Sequence, residues 1–485
     1  MAYDTQYDVI VCGGGTSGVA AAIASARTGA KTLLVERTGT LGGQMNLSGP
    51  PGFAYARLFN PQGKRDVGGI VEETYQRLLK AGHALPHLRY PYREKAGFTF
   101  SYIDPEWWTI LMFEMMEEEG VELLLDTLVV GVTKDGNTAT GIVVENANGR
   151  NELKGSIIID CTGEGYVAAH AGCEMDCVSR DEIQPHTLAF TADGVDWDRL
   201  LTYVREHPDQ FQYKQLMNPY TDNTHEAVMQ VYSKCHDIRE LGEVMGFYEL
   251  RDMAMKNGDW HPYSGVGFFI VPREDGHIQA HFQHSSQWDH SLPTDAWDLT
   301  RCMIECRKQN LIAWRFFKNY VPGFEHAYIT KVCTELRLRE GPRIVGDYIL
   351  TREDVAECRQ FEDTIGKSSF KAGGYHVSNV NTLNVNQDDP RMSWPKDGGS
   401  YDIPYRCLVP KTVDNLLAAG KCVSTDRPAY LRYLHQTMVT GQAAGTAAGL
   451  CIKKGITPRE LEKDVKELQK LLLDQGAVLF ECPVK

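Results

Sequence analysis

Residues 7–36 read YDVIVCGGGTSGVAAAIASARTGAKTLLVE, and this stretch decides the fold. Its hydrophobic pattern predicts a short apolar strand over residues 8–12, an alanine-rich helix over 16–28 and a second apolar strand over 31–35. A glycine turn joins the first strand to the helix. This order is typical of a βαβ unit in an α/β domain.

The glycine turn has the G-x-G-x-x-G spacing of a dinucleotide-binding loop. Gly13 permits the tight turn, Gly15 lets a pyrophosphate approach the backbone, and Gly18 lets the helix pack closely on the strand. The helix presents free N–H groups and its positive dipole end to the phosphates. Glu36 follows about 20 residues beyond Gly15, where a carboxylate accepts hydrogen bonds from a ribose. A glycine-rich turn without a ligand is the alternative, and the complete context argues against it.

The composition bounds the class of protein. At 485 residues the chain is long enough for two or three domains. Hydrophobic residues at 42% and charged residues at 24% are ordinary for a soluble globular protein. The formal charge of −14 argues against nucleic acid or an anionic membrane surface as a partner. No apolar run is long enough to cross a bilayer and no secretion signal is recognisable, so a cytoplasmic location is expected.

The 13 cysteines are scattered, and no C-x-x-C motif occurs. Cys302 and Cys306 are one helical turn apart, and Cys173 and Cys177 share that spacing. Neither pair is accompanied by a second ligand pair, so a metal site or a redox disulfide is not favoured. We therefore predict no metal site.

Two further patterns belong to the first part of the chain. The pair Gly42-Gly43 would let backbone pass close to a flat ligand, which is more than an NAD site needs and suggests a flavin. Asp135-Gly136 and Asn148-Gly149 predict the turns of a three-stranded meander. A last apolar strand over residues 156–159 then runs into a glycine loop at 160–165, where an α/β sheet binds its ligand.

Residues 180–330 have a different sequence pattern. Apolar strands alternate with helical stretches rich in aromatic residues, and there is no phosphate-binding loop. This predicts a second, substrate-side domain built on an antiparallel sheet. In HIQAHFQH, residues 277–284, the polar side chains alternate and so share one face of a strand. We expect this face to be solvated, and the alternative is a polar wall that faces a bound substrate.

The last part of the chain returns to the first pattern. An apolar strand over residues 416–419 runs into Gly420. A second small-residue helix follows, and its predicted amino end at Thr440 and Gly441 could direct its dipole at a negative charge. Thr457 is the predicted N-cap of a terminal helix that extends to about residue 473.

Together these motifs resemble the FAD-dependent oxidoreductases of the two-dinucleotide-binding-domain flavoprotein type, and in particular a widespread bacterial group. The resemblance covers nearly all of the chain. Its marks are GGGTSG with Glu36, LGG at 41–43, VGGI at 67–70, DPEWW at 104–108, DCTGEGYVAA at 160–169, RIVGDYILTREDV at 343–355, IPYRCLVPKTVDNLLAAGKCVS at 403–424 and TGQAAGTAAGL at 440–450.

The resemblance implies an α/β fold with FAD as the cofactor. A Rossmann-like FAD-binding domain, built as a three-layer ββα sandwich with a β-meander, would adjoin a second α+β domain on an antiparallel sheet. We assign residues 1–180 and 401–455 to the FAD-binding domain and residues 181–400, with a loop-rich insert, to the substrate domain. Residues 456–485 would form a C-terminal helix.

The resemblance also assigns residues to the cofactor. The pyrophosphate would be held by Gly13, Gly15, Thr16, Ser17 and Gly18, and the adenosine by Glu36, Arg37 and Val129. The flavin side would be lined by Gly42, Gly43 and Gln44, and the diphosphate would be covered by Thr162 and Gly163. The ribityl chain and the pyrimidine edge would be contacted by Gly420, Gly441, Gln442 and Ala443. A helix amino end beside the flavin pyrimidine would stabilise the anionic reduced ring.

The chain departs from the family pattern at two stretches and one histidine. Residues 339–343 read REGPR, without one arginine and one hydroxyl that relatives carry. Residues 430–436 read YLRYLHQ where relatives have a different run, and a histidine replaces a small residue at position 186. These departures indicate where the substrate binds, and we predict contacts from His186, His281, Gln283 and Tyr430.

A flavin enzyme must also manage a proton, and a histidine titrates in the suitable range. His435 lies in the loop expected to approach the flavin, so we predict it as the general base. Arg432 and Tyr433 are predicted to polarise or clamp a substrate oxygen, and Arg339 to bind an anion. The alternative for His435 is a structural histidine that bonds backbone.

The leading hypothesis is an FAD-dependent oxidoreductase that moves a hydride between flavin N5 and a small-molecule substrate. No second glycine fingerprint for a nicotinamide domain is present, so the electron partner would be external: a quinone, a carrier protein or oxygen. One alternative is a flavin-dependent isomerase or hydratase without net redox chemistry, and another is a flavin-binding protein without turnover. Whether the chain forms a homo-oligomer is left open.

Overall fold

The computed structural model describes residues 5–49, 55, 58–89, 99–211, 225–260, 266–373 and 393–480. Its strands are β1 (Gln6–Cys12), β2 (Thr32–Val35), β3 (Leu88–Arg89), β4 (Thr99–Phe100), β5 (Glu122–Leu124), β6 (Leu128–Asp135), β7 (Thr138–Asn146), β8 (Gly149–Asp160), β9 (Met175–Asp176), β10 (Phe190–Asp193), β11 (Glu243–Met245), β12 (Gly267–Pro272), β13 (Ile278–Phe282), β14 (Tyr328–Val332), β15 (Arg343–Ile344), β16 (Thr364–Ser368), β17 (Tyr401–Pro404) and β18 (Leu416–Ala418).

Its α-helices are α1 (Thr16–Arg27), α2 (Ile70–Lys80), α3 (Pro105–Glu118), α4 (Tyr166–His170), α5 (Trp197–Glu206), α6 (His225–Lys234), α7 (Tyr248–Asn257), α8 (Ala296–Tyr320), α9 (Arg352–Ala356), α10 (Leu434–Lys454), α11 (Pro458–Leu461) and α12 (Lys466–Asp474).

The first βαβ unit forms the centre of a seven-stranded sheet with the order β5-β2-β1-β8-β7-β6, in which β18 also pairs with β8. Strands β5, β2, β1, β8 and β18 run parallel, whereas β6, β7 and β8 form antiparallel hairpins. The predicted βαβ unit and both hairpin turns are confirmed. One detail differs, because β8 runs unbroken from the meander into the parallel sheet, where a separate strand over residues 156–159 was expected.

Helices cover one face of the parallel part of this sheet, and the strands of the meander cover its other face. Val9 and Val11 of β1 pack in one cluster with residues of α1, α3 and α10, whereas Ile10 and Cys12 pack with residues of β7. Because side chains alternate along a strand, β1 is buried on both faces and has a continuous apolar sequence. The Rossmann-like, three-layer fold is thereby confirmed.

Helices α1 and α10 lie in close contact through small residues. A Cβ atom added to Gly441 would lie 2.1 Å from the carbonyl oxygen of Ser17. Helix α10 begins at Leu434. The predicted amino end at Thr440 and Gly441 is therefore wrong, and these two residues pack inside the helix layer.

The second part of the molecule is a five-stranded antiparallel sheet with the order β11-β12-β13-β10-β14. It packs against α5 and the 25-residue helix α8 through a cluster of aromatic side chains. Phe190 stacks on Phe282 with 4.4 Å between ring centroids. The predicted antiparallel sheet is confirmed. A small adjoining cluster buries Cys302 and Cys306 as free thiols.

The polar residues of the strand at 277–284 are mostly buried. Gln279, His281 and Gln283 are 9%, 3% and 0% exposed. The reason is that other segments pack on this face, as where His281 Nε2 lies 3.1 Å from the carbonyl oxygen of Gly49. The expectation of a solvated face is therefore wrong for these three residues, and only His277 extends towards solvent.

The C-terminal segment forms α11 and α12, two short helices in place of the single helix predicted. The capping prediction is confirmed: Thr457 Oγ1 accepts from Glu460 N at 3.2 Å, and Glu460 Oε2 accepts from Thr457 N at 2.8 Å. Both helices contribute leucines to the core around α1 and α10. The C-terminal segment thus packs on the first part of the molecule.

The proposed domain limit at residue 400 falls within a two-stranded sheet, because β16 pairs with β17. Leu350, Val355 and Ile365 lie in the same core as α1 and α10. Part of the loop-rich insert, residues 374–392, lies outside the described residues. The domain limits themselves stay a prediction.

Candidate functional site

The turn between β1 and α1 has the geometry that its glycines suggest. Gly13 has φ +102°, and its N–H donates to the carbonyl of Val35 at 2.7 Å. A Cβ on Gly18 would lie 1.7 Å from the carbonyl oxygen of Gly13. By contrast, no atom of the described residues lies within 4 Å of a Cβ built on Gly15. The middle glycine therefore faces open space, where a pyrophosphate could approach the backbone.

That open space belongs to a cavity of about 580 Å³. It is lined by most residues that the family resemblance assigned to the cofactor: Gly13, Gly15, Thr16, Ser17, Glu36, Arg37, Gly43, Gln44, Val129, Thr162, Gly163 and Gly420. Three residues predicted on the substrate side line the same cavity, namely Arg339, Arg432 and Tyr433. Segments far apart in sequence therefore meet around one space.

Five residues assigned to the cofactor lie outside the described lining of the cavity: Gly18, Gly42, Gly441, Gln442 and Ala443. Gly18 and Gly441 are packing glycines. Gln442 Oε1 accepts from the N–H of Ile70 at 3.0 Å, and Ala443 is fully buried. Because α10 begins earlier than predicted, Gly441, Gln442 and Ala443 pack inside this helix, and their assignment to the ribityl and pyrimidine edge stays a prediction without support from the cavity lining.

His435 occupies the first turn of α10 and does not lie in a loop. Its side chain is fully buried, with ring centroids 6.4 Å from Phe370 and 6.3 Å from Tyr433. Tyr433 lines the cavity, whereas His435 is absent from the described lining. The structure therefore does not support His435 as the residue that touches the substrate.

The four residues predicted to contact substrate also lie outside the described lining: His186, His281, Gln283 and Tyr430. The His186 ring Nε2 lies 2.9 Å from the carbonyl oxygen of Ser291. Burial, followed by the nearby Lys421, lowers the pKa of His186 to about 3. Gln283 Oε1 accepts from Arg337 Nη1 at 2.8 Å, so Gln283 helps to position Arg337, which lines the cavity.

The amino ends of α1 and α10 meet at the cavity. Thr16 Oγ1 and Thr437 Oγ1, one from the first turn of each helix, lie 2.7 Å apart, and both residues line the cavity. The first turns of two helices thus bring free N–H groups and two positive dipole ends to one region. This region favours a group with negative charge.

Glu36, directly after β2, is held in place by backbone and side-chain donors. Its Oε2 accepts from Gly14 N at 2.6 Å, and its Oε1 accepts from the N–H and the hydroxyl of Thr38, both at 2.9 Å. A carboxylate has about four acceptor positions, so capacity remains for a hydroxyl in the cavity.

Asp160 organises the loop at the carboxyl end of β8. Its Oδ1 accepts from the N–H of Thr162 at 3.0 Å and from its hydroxyl at 2.7 Å, while Oδ2 accepts from Ala168 N at 2.8 Å. Burial raises the pKa of Asp160. The sequence analysis missed this residue, although a carboxylate between an apolar strand and a Thr-Gly loop was the available signal.

Four arginines line the cavity: Arg37 next to Glu36, and a group of three formed by Arg337, Arg339 and Arg432. Arg432 Nη1 donates to the carbonyl of Arg339 at 3.1 Å, and Arg339 Nη2 donates to Thr187 Oγ1 at 3.4 Å. Burial and the neighbouring Arg432 lower the pKa of Arg337 to about 10. Sequence reasoning missed Arg337, although it alternates with Arg339 and so shares its face of an extended segment.

One ion pair and one hydrogen bond connect the two parts of the molecule at this cavity. Arg37 Nη2 lies 2.6 Å from Glu335 Oε1. Lys421 pairs with Glu164 and also donates to the carbonyl of Leu338 at 3.2 Å. The segment that carries Arg337 and Arg339 is thereby fixed against the dinucleotide-binding side.

The residues present fit FAD. An open approach at Gly15, two helix amino ends and a carboxylate at Glu36 are the features that hold a dinucleotide, and all of them face one cavity. Gly43 belongs to the same cradle, since a Cβ on it would lie 3.0 Å from Gly15 Cα. FAD would therefore extend from the loop at Gly15 towards Arg339 and Tyr433.

The described part of the chain contains neither a membrane-spanning helix nor a cluster of metal ligands. Within it, no helix combines the length and the apolar character needed to cross a membrane. Within the same residues, no group of three or more His, Cys, Asp or Glu side chains is placed to hold a metal ion.

Several solved structures are similar to this chain. One is a geranylgeranyl bacteriochlorophyll reductase-like protein from Thermoplasma acidophilum, with 13% identity, coverage of 98% of this chain and 85% of that chain, and a TM-score of 0.46. Another is p-nitrophenol 4-monooxygenase PnpA from Pseudomonas putida DLL-E4, with 11% identity, 98% coverage of each chain and a TM-score of 0.45. The myxobacterial chondrochloren halogenase CndH is 14% identical, with coverage of 96% and 79% and a TM-score of 0.43.

The family comparison covers almost the whole chain. A model of the FAD dependent oxidoreductase family matches residues 8–472. This range includes the glycine loop, the group of three arginines at the cavity and the small-residue helix α10. The chain belongs to the FAD-dependent oxidoreductase family and is an enzyme that uses FAD.

Proposed function

We propose that this enzyme moves a hydride between FAD and a small organic substrate with an anionic or oxygen-bearing group, which Arg337, Arg339 and Arg432 hold. The observation that carries the proposal is the concentration of three guanidinium groups on the cavity that the cofactor residues also line. Bound FAD supplies the hydride chemistry at N5. The side chains supply binding, orientation and polarisation.

The electrostatics of the cavity support an anionic group. Burial, and next the charge of Arg432, lower the pKa of Arg337 to about 10. His284 is half-buried with its Nδ1 3.3 Å from Arg339 Nη2, and desolvation together with the charges of Arg339 and Arg337 lowers its pKa well below its usual value. Both shifts indicate a positive potential in a poorly hydrated region, where a carboxylate gains more than it would in water. A guanidinium can bind such a group through two parallel hydrogen bonds.

Tyr433 is the aromatic residue that would orient the substrate. Its ring stacks on Phe370 with 3.5 Å between centroids, and the Arg432 guanidinium lies 5.6 Å from the ring. Its backbone N–H donates to Gln436 Oε1 at 3.2 Å, at the start of α10. A ring held in this way is suited to directing a substrate oxygen towards the arginines. His435 packs near this ring, so we propose that it helps to position Tyr433 and does not contact the substrate.

An anaerobic absorbance titration of the holoenzyme tests the proposal. Small 2-hydroxy acids are added to the oxidised form, 2-enoic acids are added to the photoreduced form, and the matching amides are the neutral controls. We expect at least one acid to bleach or reoxidise the flavin, with its amide at least about tenfold weaker, since about 1.4 kcal/mol of charge interaction is lost.

Three other outcomes would overturn the proposal. The first is no spectral change with any acid, and the second is an equal response to acid and amide. The third is turnover with an unchanged flavin spectrum, which would favour the isomerase or hydratase alternative.

A further inference from the structure

Helix α8 carries an exposed stripe of apolar and cationic side chains. Trp297, Ile304 and Leu311 are 79%, 49% and 46% exposed, and they follow each other at intervals of seven residues. Residues seven apart lie on nearly one face of a helix, so the three side chains extend over about 21 Å. We call the α8 stripe the exposed residues Trp297, Arg301, Ile304, Arg307, Lys308, Leu311 and Arg315.

The charge of the stripe is opposite to that of the chain. Four of its residues are cationic, and none of the exposed residues of α8 is acidic. The two acids of the helix each pair with one cation of the stripe at 2.7 Å: the buried Asp298 with Arg301, and the half-buried Glu305 with Lys308. The charges of Arg307 and Arg315 are not balanced in this way by an acid of the helix. A cationic surface on a chain with a formal charge of −14 orients an acidic partner to one place.

The arrangement of charged and apolar residues in the α8 stripe distinguishes between three possible binding partners: a membrane surface, a second copy of this chain and another protein. A helix that lies in a membrane surface separates its apolar face from its basic face. Here Arg301, Lys308 and Arg315 lie among the apolar residues, so insertion would bury their charges. Two-fold pairing with a second copy would place the same cations opposite each other. Tryptophan and arginine side by side, in contrast, are typical of the centre of a protein–protein interface.

The opposite face of α8 forms part of the cavity wall. Leu299 lies about half a turn from the stripe and lines the cavity, as does Pro293 just before the helix. A partner on the stripe would therefore be separated from the cavity by little more than one helix, about 10 Å in diameter. This is a suitable position for electron exchange with FAD.

We propose that the α8 stripe is the docking surface of a small acidic electron-carrier protein that exchanges electrons with the FAD of this enzyme. The inference rests on the redox role in the proposed function, because a hydride transfer needs a second electron partner. The exchange balances as follows: two molecules of a one-electron carrier provide two electrons, the solvent provides one proton, and together these make up the hydride. In the reverse direction the same two electrons and the proton are returned.

The test uses purified holoenzyme and needs no substrate. Oxidised enzyme is mixed under anaerobic conditions with a reduced acidic [2Fe–2S] ferredoxin, and separately with a reduced acidic flavodoxin, and the bleaching of FAD is followed. The variant R307E/R315E reverses two charges of the stripe, neither of which forms an ion pair among the described residues. The control K463E/K470E makes the same change of charge at exposed lysines of the C-terminal segment.

We expect the second-order rate with at least one carrier to fall about tenfold or more in R307E/R315E and to change less than about twofold in the control. The difference should disappear at about 0.5 M salt, where the charges are screened. FAD content, melting temperature and reduction by dithionite should stay equal in all three proteins.

Equal rates in the two variants, or no reaction with either carrier, would overturn the proposal. Binding only to anionic vesicles, or self-association that R307E/R315E abolishes, would assign the stripe to another occupant and overturn it as well. A failure of the acid titration alone would affect the proposed substrate and leave this result unchanged.

Discussion

Gly15 and Gly441 are both glycines, but their surroundings differ. Gly15 faces the cavity, whereas Gly441 packs against a neighbouring helix. A Cβ on Gly15 would meet open space, whereas one on Gly441 would meet the backbone of Ser17 at 2.1 Å. The motif spacing around Gly15 predicted its role, because that role depends on local chain direction. The packing of Gly441 depends on which helix lies across from it, and the sequence alone did not predict it.

The substitution Gly15→Ala should weaken FAD binding without destabilising the apoprotein. Gly15 has φ −72°, which alanine adopts readily, and its Cβ would displace only the approaching pyrophosphate. We expect the dissociation constant of FAD to rise at least about tenfold, or ~1.4 kcal/mol, with apoprotein stability changed by less than about 0.5 kcal/mol. Flavin fluorescence titration and apoprotein melting measure the two effects. An unchanged FAD affinity would contradict the assigned role.

The substitution Arg337→Met should weaken an acidic substrate specifically. Loss of a buried charged partner costs about 2 kcal/mol or more, so KM should rise at least about 30-fold for the acid and little for its amide. The pKa of Arg337 is lowered to about 10, so the charge is present below that pH and is lost above it. In the wild type, kcat/KM for the acid should therefore fall as the pH rises through about 10. The same fall in Arg337→Met would show that another group is responsible.

Among the elements, α10 shows best what the sequence could and could not predict. Its small residues predicted a helix, and the helix is confirmed. Its start at Leu434 was missed because Tyr433 is not a usual N-cap residue, and only Gln436 Oε1, which accepts from the Tyr433 N–H at 3.2 Å, marks the boundary. The earlier start moves His435 into the helix and into the interior, where a local pattern cannot place it.

The substitution Gly441→Ala should destabilise the protein through the contact of α10 with α1. The added methyl group would lie 2.1 Å from Ser17 O, so the helices must separate or bend. Overpacking of this kind costs about 1–3 kcal/mol. Chemical denaturation of the apoprotein measures the loss. Unchanged apoprotein stability would contradict the packing role, and a selective loss of FAD affinity would support the original assignment to the cofactor.

The end of α11 has a carboxyl group that should make stability depend on pH. Burial, and next the nearby Asp347, raise the pKa of Glu462 from the usual 4.5 to about 8. The folded state then binds more protons than the unfolded state between these values, so stability should fall as the pH rises from about 4.5 to 8. In Glu462→Gln the melting temperature should decline less over this range. An identical decline in both proteins would exclude Glu462 as the cause.

At the scale of the whole molecule, the dinucleotide-binding part could be predicted from local sequence patterns, whereas the part built on the antiparallel sheet could be predicted less completely. The βαβ unit, the hairpins and Glu36 were predictable because each depends on neighbouring residues. Arg337 was not predicted because its place on the cavity depends on two distant contacts of its segment, the ion pair of Arg37 with Glu335 and the hydrogen bond from Lys421 to the carbonyl of Leu338. The buried face of β13 likewise depends on the distant segments that pack on it, since alternation alone is equally compatible with a solvated face.

The central claim is that one FAD extends through the cavity from the glycine loop to the three arginines. Photolabelling with 8-azido-FAD, in which the reactive group is on the isoalloxazine ring, tests this most directly when the labelled peptides are identified by mass spectrometry. The label should be found in peptides that contain Gln44, Arg337, Arg339 or Tyr433. Label confined to peptides that contain Glu36 or Val129 would place the ring at the opposite end and contradict the account.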